Sequence, residues 1–398
     1  MHRIFWALLV LFLFAAFLRQ DWIYYLVYVV AGVWVFSYWW VRRVLKQMTV
    51  ERHMLDRAFT GEKIDVQAII QNRSLLPLPW LQVQEQVPPD LKDQPNYRVV
   101  MSVGGHAQAR YTYRLYCKRR GYYPLGPLRL SAGDLFGFST VNWEELGGRH
   151  VTVYPQVLPL EKLGLPSRSP FGALPSRQRL FEDPARMAGV RDYVTGDSLR
   201  YVHWKASAHE NSLLVKKFQP AIALDVTIAL DLNRAAYEPV GRGIIGYSEW
   251  AITVAASLAS YVVDQRQPVG LICNGLDPLS KATAAPIPVH HGQGQLMNIL
   301  SLLARVELDA SDATLAAWLP PKLADLAWGT TLILVTPYLD DATLWQLHGA
   351  YRRGSNALAL ICAPQANYHA VRAQAERLGV TVFRTIWEQD LDQLAAER

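Results

Sequence analysis

Two long apolar runs separated by a short polar break begin the chain. Residues 4–18 are uninterrupted apolar side chains, residues 19–21 are Arg, Gln and Asp, and residues 22–41 form a second, mostly apolar run. A helix that spans a bilayer needs about 20 apolar residues, with roughly 17 as the lower limit. The second run has that length, whereas the first reaches it only by including the residues that precede it or by thinning the bilayer. The pattern predicts a transmembrane helical hairpin over residues 1–45.

The alternative for the first run is a cleaved signal peptide, because Arg3 precedes an apolar core of suitable length. The absence of a small-x-small cleavage site before Arg19, and the second run that follows, favour the hairpin. Three basic residues come directly after the second run, namely Arg42, Arg43 and Lys46. The hairpin would contact the lipid bilayer through residues 4–41. The positive-inside rule then predicts a cytoplasmic (inner) membrane protein with the bulk of its chain in the cytoplasm.

An alternating pattern of short β-like segments follows over residues 48–155. Segments such as KIDVQAIIQN (residues 63–72) and RYTYRLYCKR (residues 110–119) alternate or are rich in β-branched and aromatic residues. Proline, glycine and asparagine separate these segments, and no convincing period of 3.6 residues interrupts them. The pattern predicts a small all-β sandwich.

The pattern changes again after residue 155. Residues 156–189 are rich in proline and lack a regular period, which predicts an extended connector at the start of a connector and latch region over residues 156–217. From residue 218 to 398, continuous apolar strands alternate with amphipathic helices. This alternation predicts an α/β, Rossmann-like domain with a mostly parallel sheet. Ligands in such folds bind beyond the carboxyl ends of the strands, so the loops of interest follow Leu230, Cys273, Val335 and Ile361.

Composition narrows the possible functions. The 398 residues exceed one ordinary domain, and the net charge of +6 arises from 40 basic and 34 acidic residues. No run of five or more lysines and arginines is present, so we expect no nucleic-acid partner. The three cysteines lie far apart without a C-x-x-C pair, which argues against a disulfide framework or a zinc site.

Titratable and aromatic side chains are concentrated in residues 191–218, and this density permits two interpretations. The first is a hydrolase site that uses the local hydroxyl and imidazole groups of Ser198, Ser207, Ser212, His203 and His209. However, the segment has no G-x-S-x-G turn, the histidines lack the i, i+4 spacing of a metal pair, and the chain has no Walker loop. Nucleophilic catalysis and nucleotide hydrolysis by this chain are therefore disfavoured.

The second interpretation is a latch that joins the connector to the α/β domain. Gly196 fits a turn that Asp197 closes, and Trp204 and Tyr193 have the large apolar area of buried anchors. A buried Trp204 predicts a loss of about 3–5 kcal/mol on replacement by alanine. The residues assigned to the latch are Arg191, Tyr193, Gly196, Asp197, Arg200, Trp204 and Ser207. We favour this structural interpretation.

Three segments carry a resemblance to a known family. Residues 117–138 read CKRRGYYPLGPLRLSAGDLFGF, residues 151–160 read VTVYPQVLPL, and residues 191–208 read RDYVTGDSLRYVHWKASA. With the two apolar runs before them, these segments resemble domain-of-unknown-function family 58, a bacterial membrane-anchored group that ends in a von Willebrand factor A-like domain. The resemblance implies partnership with a MoxR-type AAA+ ATPase, and with a neighbouring transglutaminase-like membrane protein.

The resemblance also implies a metal-ion-dependent adhesion site, which this chain keeps only in part. In the family, a D-x-S-x-S loop and a later threonine and aspartate supply oxygens for magnesium. The corresponding loop here reads DLNRA, so Asp231 is kept, Asn233 replaces the first serine and Ala235 replaces the second. Thr336 is followed by Pro337 where the family tends to have an aspartate. We therefore expect a degenerate site with no metal, no cofactor, and partner binding that is independent of metal.

These inferences predict a non-enzymatic scaffold or adaptor, tethered to the membrane, whose A-like domain recruits a cytoplasmic protein. The alternative is a hydrolase that acts at the inner face of the cytoplasmic membrane.

Overall fold

The computed structural model describes residues 2–18, 21–133, 140–145, 148–159, 182–194, 201–210, 212–220, 225–238, 243–310, 314–327 and 329–387. The chain divides into two compact units. The first unit contains residues 1–156 with residues 303–305, and the second contains residues 157–302 and 306–398.

The first unit begins with two helices, α1 (His2–Leu18) and α2 (Asp21–Leu45). The rings of Phe12 and Tyr24 meet edge to face with their centroids 5.8 Å apart, so the two helices fold back on one another. Among the described helices, α2 is long and apolar enough to cross a membrane. This finding supports the predicted span over the second apolar run. A second crossing by α1 and the orientation of the hairpin stay predictions.

Three antiparallel or mixed sheets complete the first unit. One sheet has the order β1–β3–β6, with β1 at Met48–His53, β3 at Lys63–Asn72 and β6 at Gln108–Tyr116. A second has the order β5–β4–β8–β9, formed by Arg98–Val103, Leu78–Glu85, Leu128–Gly133 and Thr140–Glu145. A third has the order β2–β10–β7, formed by Arg57–Phe59, Arg149–Tyr154 and Gly121–Leu125. Alternate residues of β3 are buried, as the sequence pattern predicts.

The end of α2 belongs to the core of this β region. Val41, Val44 and Leu45 are buried in one cluster with Leu78 and Leu130 of the four-stranded sheet. The indole Nε1 of Trp40 donates a hydrogen bond to the backbone oxygen of Pro77 at 2.9 Å. The last turn of the helix and the sheet therefore share one core, although the sequence pattern separates them at residues 45 and 48.

The second unit starts with strand pairing inside the predicted connector and latch region. Strand β11 (Glu182–Asp192) pairs antiparallel with β12 (Leu214–Pro220), and the short helix α3 (Trp204–Glu210) lies between them. The end of the predicted connector is therefore a strand, because its backbone finds a partner more than twenty residues later. The central part of the predicted connector lies outside the described residues.

A mixed six-stranded sheet forms the rest of the second unit, in the order β17–β14–β13–β18–β19–β20. Its strands are β13 (Val226–Leu230), β14 (Val269–Cys273), β17 (Ile287–His290), β18 (Thr331–Thr336), β19 (Asn356–Ile361) and β20 (Thr381–Arg384). All neighbouring pairs run parallel except β17 with β14. The antiparallel edge strand corrects the sequence analysis, which did not identify β17. A small β15 (Leu276–Asp277) and β16 (Ala282–Thr283) pair lies apart from this sheet.

Helices follow the strands of this sheet, as the alternation predicts. They are α4 (Arg234–Tyr237), α5 (Ile244–Asp264), α6 (Gln293–Arg305), α7 (Leu315–Ala324), α8 (Asp341–Arg352) and α9 (Tyr368–Arg377). Every residue of β13, β14 and β18 is buried. Continuous apolar strands are typical of a sheet that is covered on both faces.

Candidate functional site

Buried polar side chains meet at the carboxyl ends of three neighbouring strands. Asp231 directly follows β13, Asn274 directly follows β14, and Thr336 is the last residue of β18. All three side chains are buried. Because β13 pairs in parallel with both β14 and β18, the ends of the three strands lie side by side. The structure thus brings Asp231 and Thr336 together and adds Asn274, which the sequence analysis did not name.

The carboxylate of Asp231 is surrounded by hydrogen-bond partners from the protein. Its Oδ1 accepts from the side-chain amide of Asn274 at 2.7 Å and from the backbone N–H of Asn233 at 3.1 Å. Its Oδ2 lies 3.0 Å from the hydroxyl of Thr336. The carbonyl oxygen of the Asn274 amide in turn accepts from the backbone N–H of Leu232 at 2.5 Å. Both oxygens of the carboxylate are engaged inside the protein.

The proton count at Thr336 favours a neutral Asp231. The hydroxyl oxygen of Thr336 also lies 2.9 Å from the backbone oxygen of Tyr338, yet a hydroxyl has one proton to donate. A protonated Asp231 solves this conflict, because it donates to Thr336 while Thr336 donates to Tyr338. Burial raises the pKa of Asp231, the charge of Asp340 adds to that rise, and the hydrogen bonds to the carboxylate oppose it.

Tyr237 closes the same cluster from the interior. Its side chain is fully buried, and its hydroxyl donates to the backbone oxygen of Asp231 at 2.8 Å. Burial raises the pKa of Tyr237 well above its ordinary value, and a negative charge on Asp231 would raise it further. The phenol therefore stays protonated and acts as a hydrogen-bond donor to the loop.

The residues at this position do not fit the open magnesium site that the resemblance implies. The Asn233 side-chain oxygen accepts from the backbone N–H of Ala235 at 2.9 Å and caps α4, and Ala235 has no side-chain oxygen. Asp340 caps α8 by accepting from the backbone N–H of Thr343 at 2.8 Å. Across the described part of the chain, no group of three or more His, Cys, Asp or Glu is placed to hold a metal ion. The absence of metal binding in solution remains a prediction.

Hydrogen bonds between side chains and backbone hold the latch segment together around Ser207. The Ser207 hydroxyl donates to the backbone oxygen of His203 at 3.1 Å and accepts from the backbone N–H of Leu214 at 2.9 Å. The ring Nδ1 of His203 accepts from the backbone N–H of Ala206 at 3.0 Å, at the start of α3. These bonds connect α3 to β12. In these bonds the serine hydroxyl and the imidazole each bind backbone groups, and neither binds the other.

Trp204 corrects the latch hypothesis, because its side chain is 66% exposed and is not a buried anchor. The inward positions of the segment are filled instead by Val202, Leu214 and Val215, and Val202 forms a β-bridge with Val215. Aliphatic side chains rather than the tryptophan are therefore the buried residues of this segment. Tyr193 is half-buried and Arg191 is exposed. The predicted latch residues Gly196, Asp197 and Arg200 lie outside the described residues.

Five apolar residues in and around this hairpin are exposed, and together we call them the hairpin surface. Its members are between 42% and 66% exposed, and they are Val190, Val194, Tyr201, Trp204 and Leu213. Backbone pairing holds their segments together, since the N–H of Tyr193 donates to the oxygen of Leu213 at 2.9 Å. The exposed Lys205 and Arg191 lie beside these residues in sequence. The aromatic density that suggests a buried latch is instead turned outward.

The first unit contains a second buried polar cluster, which the sequence analysis missed. The guanidinium Nη1 of Arg52 lies 3.6 Å from Oε1 of Glu85, and both side chains are almost completely buried. The hydroxyl of Tyr113 donates to Oε2 of Glu85 at 2.8 Å. Arg52 also donates to the backbone oxygen of Leu125 at 3.4 Å. Alternation along β1 places Arg52 on the inward face. A charged residue at an inward position of a strand is the sequence feature that could have predicted a buried polar cluster.

A groove of about 490 Å³ lies next to this cluster. Its lining includes Glu85 together with residues 84–88, Lys92, residues 95–97, Pro124 and Gly126.

Burial raises the pKa of Tyr113 far above its ordinary value, with the charge and hydrogen bond of Glu85 as further causes. Tyr113 therefore remains a donor to Glu85 throughout the physiological range.

Comparison with protein families supports the resemblance drawn from the sequence. Residues 189–327 match the model of a family described as "Protein of unknown function DUF58". The matched range contains the end of β11, the hairpin surface and Asp231, whereas Thr336 lies beyond it. No curated protein matches the chain.

Similarity to solved structures is weak. The CARDB domain of a Pyrococcus furiosus protein, described as a complex with di-metal ions, is 16% identical, covers 27% of this chain and 91% of its own, and has a TM-score of 0.21. The sporulation control protein Spo0M from Bacillus subtilis is 11% identical, covers 29% of this chain and 53% of its own, and has a TM-score of 0.18. At such TM-scores these structures carry no argument about function.

Proposed function

We propose that this chain is a non-enzymatic, membrane-tethered scaffold whose second unit recruits a cytoplasmic protein through the hairpin surface. The observation that carries the proposal is the exposure of Trp204, Tyr201 and Leu213 within the range that matches the family. Aromatic residues are enriched at protein interfaces because they bring large rigid contact areas. An exposed group of this kind is unusual for a surface that contacts only water.

The spanning-length helix α2 supports the tether part of the proposal. Its apolar length is sufficient to cross a bilayer, and its last turn is continuous with the core of the β sheets. A helix packed into a folded unit in this way connects that unit to the membrane without a flexible linker. We propose that the soluble parts of the chain lie in the cytoplasm, on the basis of Arg42, Arg43 and Lys46 after the helix.

The nature of the partner is the finer part of the proposal. We propose a MoxR-type AAA+ ATPase, the partner that the family resemblance implies, acting in assembly or maturation of a protein complex. The order of the six-stranded sheet, counted along the chain as 3-2-1-4-5-6 with an antiparallel third strand, supports a von Willebrand factor A-like second unit. We further propose that binding is independent of metal, because the oxygens around Asp231 are already hydrogen-bonded.

A binding assay with the whole chain tests this proposal. Truncation at Met48 would remove Val41, Val44 and Leu45 from the core, so the full-length protein in detergent is the appropriate sample. We expect a purified MoxR-type ATPase to bind it in the presence of nucleotide, and EDTA to leave the affinity unchanged. We expect Trp204→Ala to weaken binding by about tenfold to thirtyfold, which corresponds to about 1.4–2 kcal/mol for an interface aromatic.

Trp345→Ala is the matched control, because Trp345 is also a highly exposed tryptophan in the second unit, on α8. This variant should bind like the unchanged protein. Equal weakening by both variants would contradict the assignment of the hairpin surface. No binding of the ATPase at any nucleotide state would contradict the proposed partner.

A further inference from the structure

The β3–β4 loop, residues 73–77, lies beside the end of the spanning-length helix. The backbone N–H of Arg73 donates to the oxygen of Gln47 at 3.2 Å, just after α2 ends. The indole of Trp40 donates to the backbone oxygen of Pro77 at 2.9 Å. Both ends of the loop are therefore fixed to the last turns of α2 and the residues that follow it.

Buried polar groups give this loop a defined shape. The fully buried Asn72 donates from its side-chain amide to the backbone oxygens of Leu76 and Gly104, each at 2.9 Å. Its side-chain oxygen accepts from the hydroxyl of Ser74 at 2.7 Å and from the Ser74 backbone N–H at 3.0 Å. A Cβ on Gly105 would lie 2.0 Å from the backbone oxygen of Leu75, so glycine permits the close approach of the neighbouring loop.

The loop presents Leu75 to the exterior. Its side chain is 81% exposed, even though the residues on either side, Ser74 and Leu76, are buried or half-buried. A scattered exposed leucine is ordinary, but this one is held outward by a hydrogen-bonded loop next to a helix that can span a membrane. Four basic residues in the loop and at the end of the helix are exposed, namely Arg42, Arg43, Lys46 and Arg73.

With α2 spanning a bilayer as proposed, the position of Trp40 along the helix would set this loop at the depth of the lipid headgroups. At about 1.5 Å per residue, the apolar part of α2, residues 22–41, matches a hydrocarbon thickness of about 30 Å. Trp40 lies at its C-terminal end, where tryptophan prefers the boundary between hydrocarbon and headgroups. Its hydrogen bond to Pro77 brings the loop to the same level.

We infer that the β3–β4 loop is a second membrane contact, in which Leu75 enters the boundary of the bilayer and the surrounding basic residues bind anionic phospholipid headgroups. This inference rests on the proposed membrane tether. The two contacts together would fix the orientation of the first unit on the lipid surface, since a single helix leaves rotation about its axis free.

Depth-dependent fluorescence quenching in the full-length protein tests the inference. The native cysteines are buried, so a cysteine introduced at position 75 can be labelled selectively with an environment-sensitive fluorophore. We expect blue-shifted emission from a Leu75→Cys label in vesicles that contain phosphatidylglycerol, and strong quenching by lipids with a nitroxide near the headgroup. In vesicles of phosphatidylcholine alone both effects should be smaller, and Arg43→Gln with Lys46→Gln should remove the difference.

Two further label positions separate the inference from the tether on which it rests. Leu55→Cys is the matched control, because Leu55 is 71% exposed and follows β1, roughly 20 Å beyond Met48 at about 3.3 Å per residue. Its label should stay unquenched. Val35→Cys lies within α2 and should be quenched by lipids with a nitroxide deep in the acyl chain.

The outcomes are distinct. Quenching at 35 with none at 75 overturns the loop contact and leaves the tether in place. No quenching at either position overturns both. Equal quenching at 75 in the two lipid mixtures overturns the recognition of anionic headgroups.

Discussion

Glu85 in the first unit and Asp231 in the second are buried carboxyl groups, and the two are stabilised in opposite ways. In the first unit, Glu85 lies beside the guanidinium of Arg52 and accepts from the hydroxyl of Tyr113. In the second unit, Asp231 is surrounded by an amide, a backbone N–H and the hydroxyl of Thr336, with no cation among these partners. A buried carboxylate needs a counter-charge or several donors, or else it takes up a proton.

The difference indicates which protonation state each cluster requires. A guanidinium is a cation in proteins, so an ionised Glu85 would make the buried pair with Arg52 neutral. The Thr336 hydroxyl has one proton but faces both Asp231 and the backbone oxygen of Tyr338. This favours a protonated Asp231 that donates to Thr336, while Thr336 donates to Tyr338. The first cluster is therefore sensitive to the loss of a partner, and the second is sensitive to pH.

A buried thiol in each unit can report on the two clusters separately. Cys117 lies in the same core cluster as Tyr113, and burial raises its pKa to about 11. Cys362 lies in the second unit, and burial raises its pKa to about 12. Thiols with raised pKa values react slowly while buried, so alkylation requires local opening. The rate at each cysteine, relative to the unchanged protein, then measures the stability of its own unit.

The largest effect is expected from Arg52→Met. The substitution leaves Glu85 as a buried carboxylate without its cation, and breaking a buried pair in this way costs about 3–5 kcal/mol. Alkylation of Cys117, measured by mass spectrometry, should accelerate by at least a hundredfold, while Cys362 should react as before. Unchanged alkylation at Cys117 would contradict the assignment of Glu85 as an ionised partner of Arg52.

Two controls sharpen this result. Arg114→Met removes one member of the exposed Arg114–Asp65 pair and should change stability by less than about 1 kcal/mol. The triple variant Arg52→Met, Glu85→Leu, Tyr113→Phe replaces the whole cluster with apolar groups and should recover most of the loss. Failure of the triple variant to recover would show that packing, rather than the unpaired charge, causes the damage.

The next largest effect is expected from Thr336→Val in the second unit. Valine keeps the shape of threonine but leaves the Asp231 carboxyl and the Tyr338 carbonyl without their shared hydroxyl. An unsatisfied buried polar group costs about 1–3 kcal/mol. Alkylation of Cys362 should accelerate by about fivefold to a hundredfold, with Cys117 unaffected. Thr343→Val is the matched control. Thr343 is also a buried threonine of the second unit, but it donates to Asp340 from its backbone N–H, which valine keeps.

A smaller, pH-dependent effect is expected from Asp231→Asn, which imitates the protonated carboxyl. Because the pKa of Asp231 is raised above 3.8 in the folded protein, the unfolded chain releases this proton first as pH rises. The stability that the group contributes is fully present below about pH 4 and is lost as pH rises toward the folded pKa, by at most about 1.4 kcal/mol per pH unit.

Asparagine removes this slope, because it does not titrate. The variant should therefore match the unchanged protein within about 1 kcal/mol near pH 4 and become relatively more stable as pH increases. The ratio of Cys362 alkylation rates between the two proteins, measured at each pH, checks the sign. A variant that becomes relatively less stable with rising pH would show that Asp231 is ionised in the folded state.

The smallest effect on stability is expected from Trp204→Ala, which lies outside both clusters. Its side chain is 66% exposed, so its removal should change the free energy of unfolding by less than about 0.5 kcal/mol. Thermal unfolding of the full-length protein in detergent measures this directly. A loss of several kcal/mol would restore the buried latch that the sequence pattern suggests.

Local pattern determined much of the secondary structure. Alternation over residues 63–72 predicts β3 with its inward residues, and the apolar strand patterns predict the carboxyl ends of β13, β14 and β18 to within one residue. These features depend on the period with which side chains point to one face, which is a property of neighbouring residues. The loop after β13 was identified for the same reason, because it follows a recognisable strand.

Tertiary structure decided which residues meet and which face outward. Glu85 is an inward residue of β4, but only the packing of β1 against that sheet gives it Arg52 as a partner. Asn274 reaches Asp231 because β14 lies next to β13, although 43 positions separate them in the chain. Trp204 is exposed, whereas its neighbour Val202 is buried and forms a β-bridge with Val215, thirteen positions later in the chain. Sequence periodicity specifies a face, whereas contacts between faces depend on strand order and packing, which arise from residues far apart in the chain.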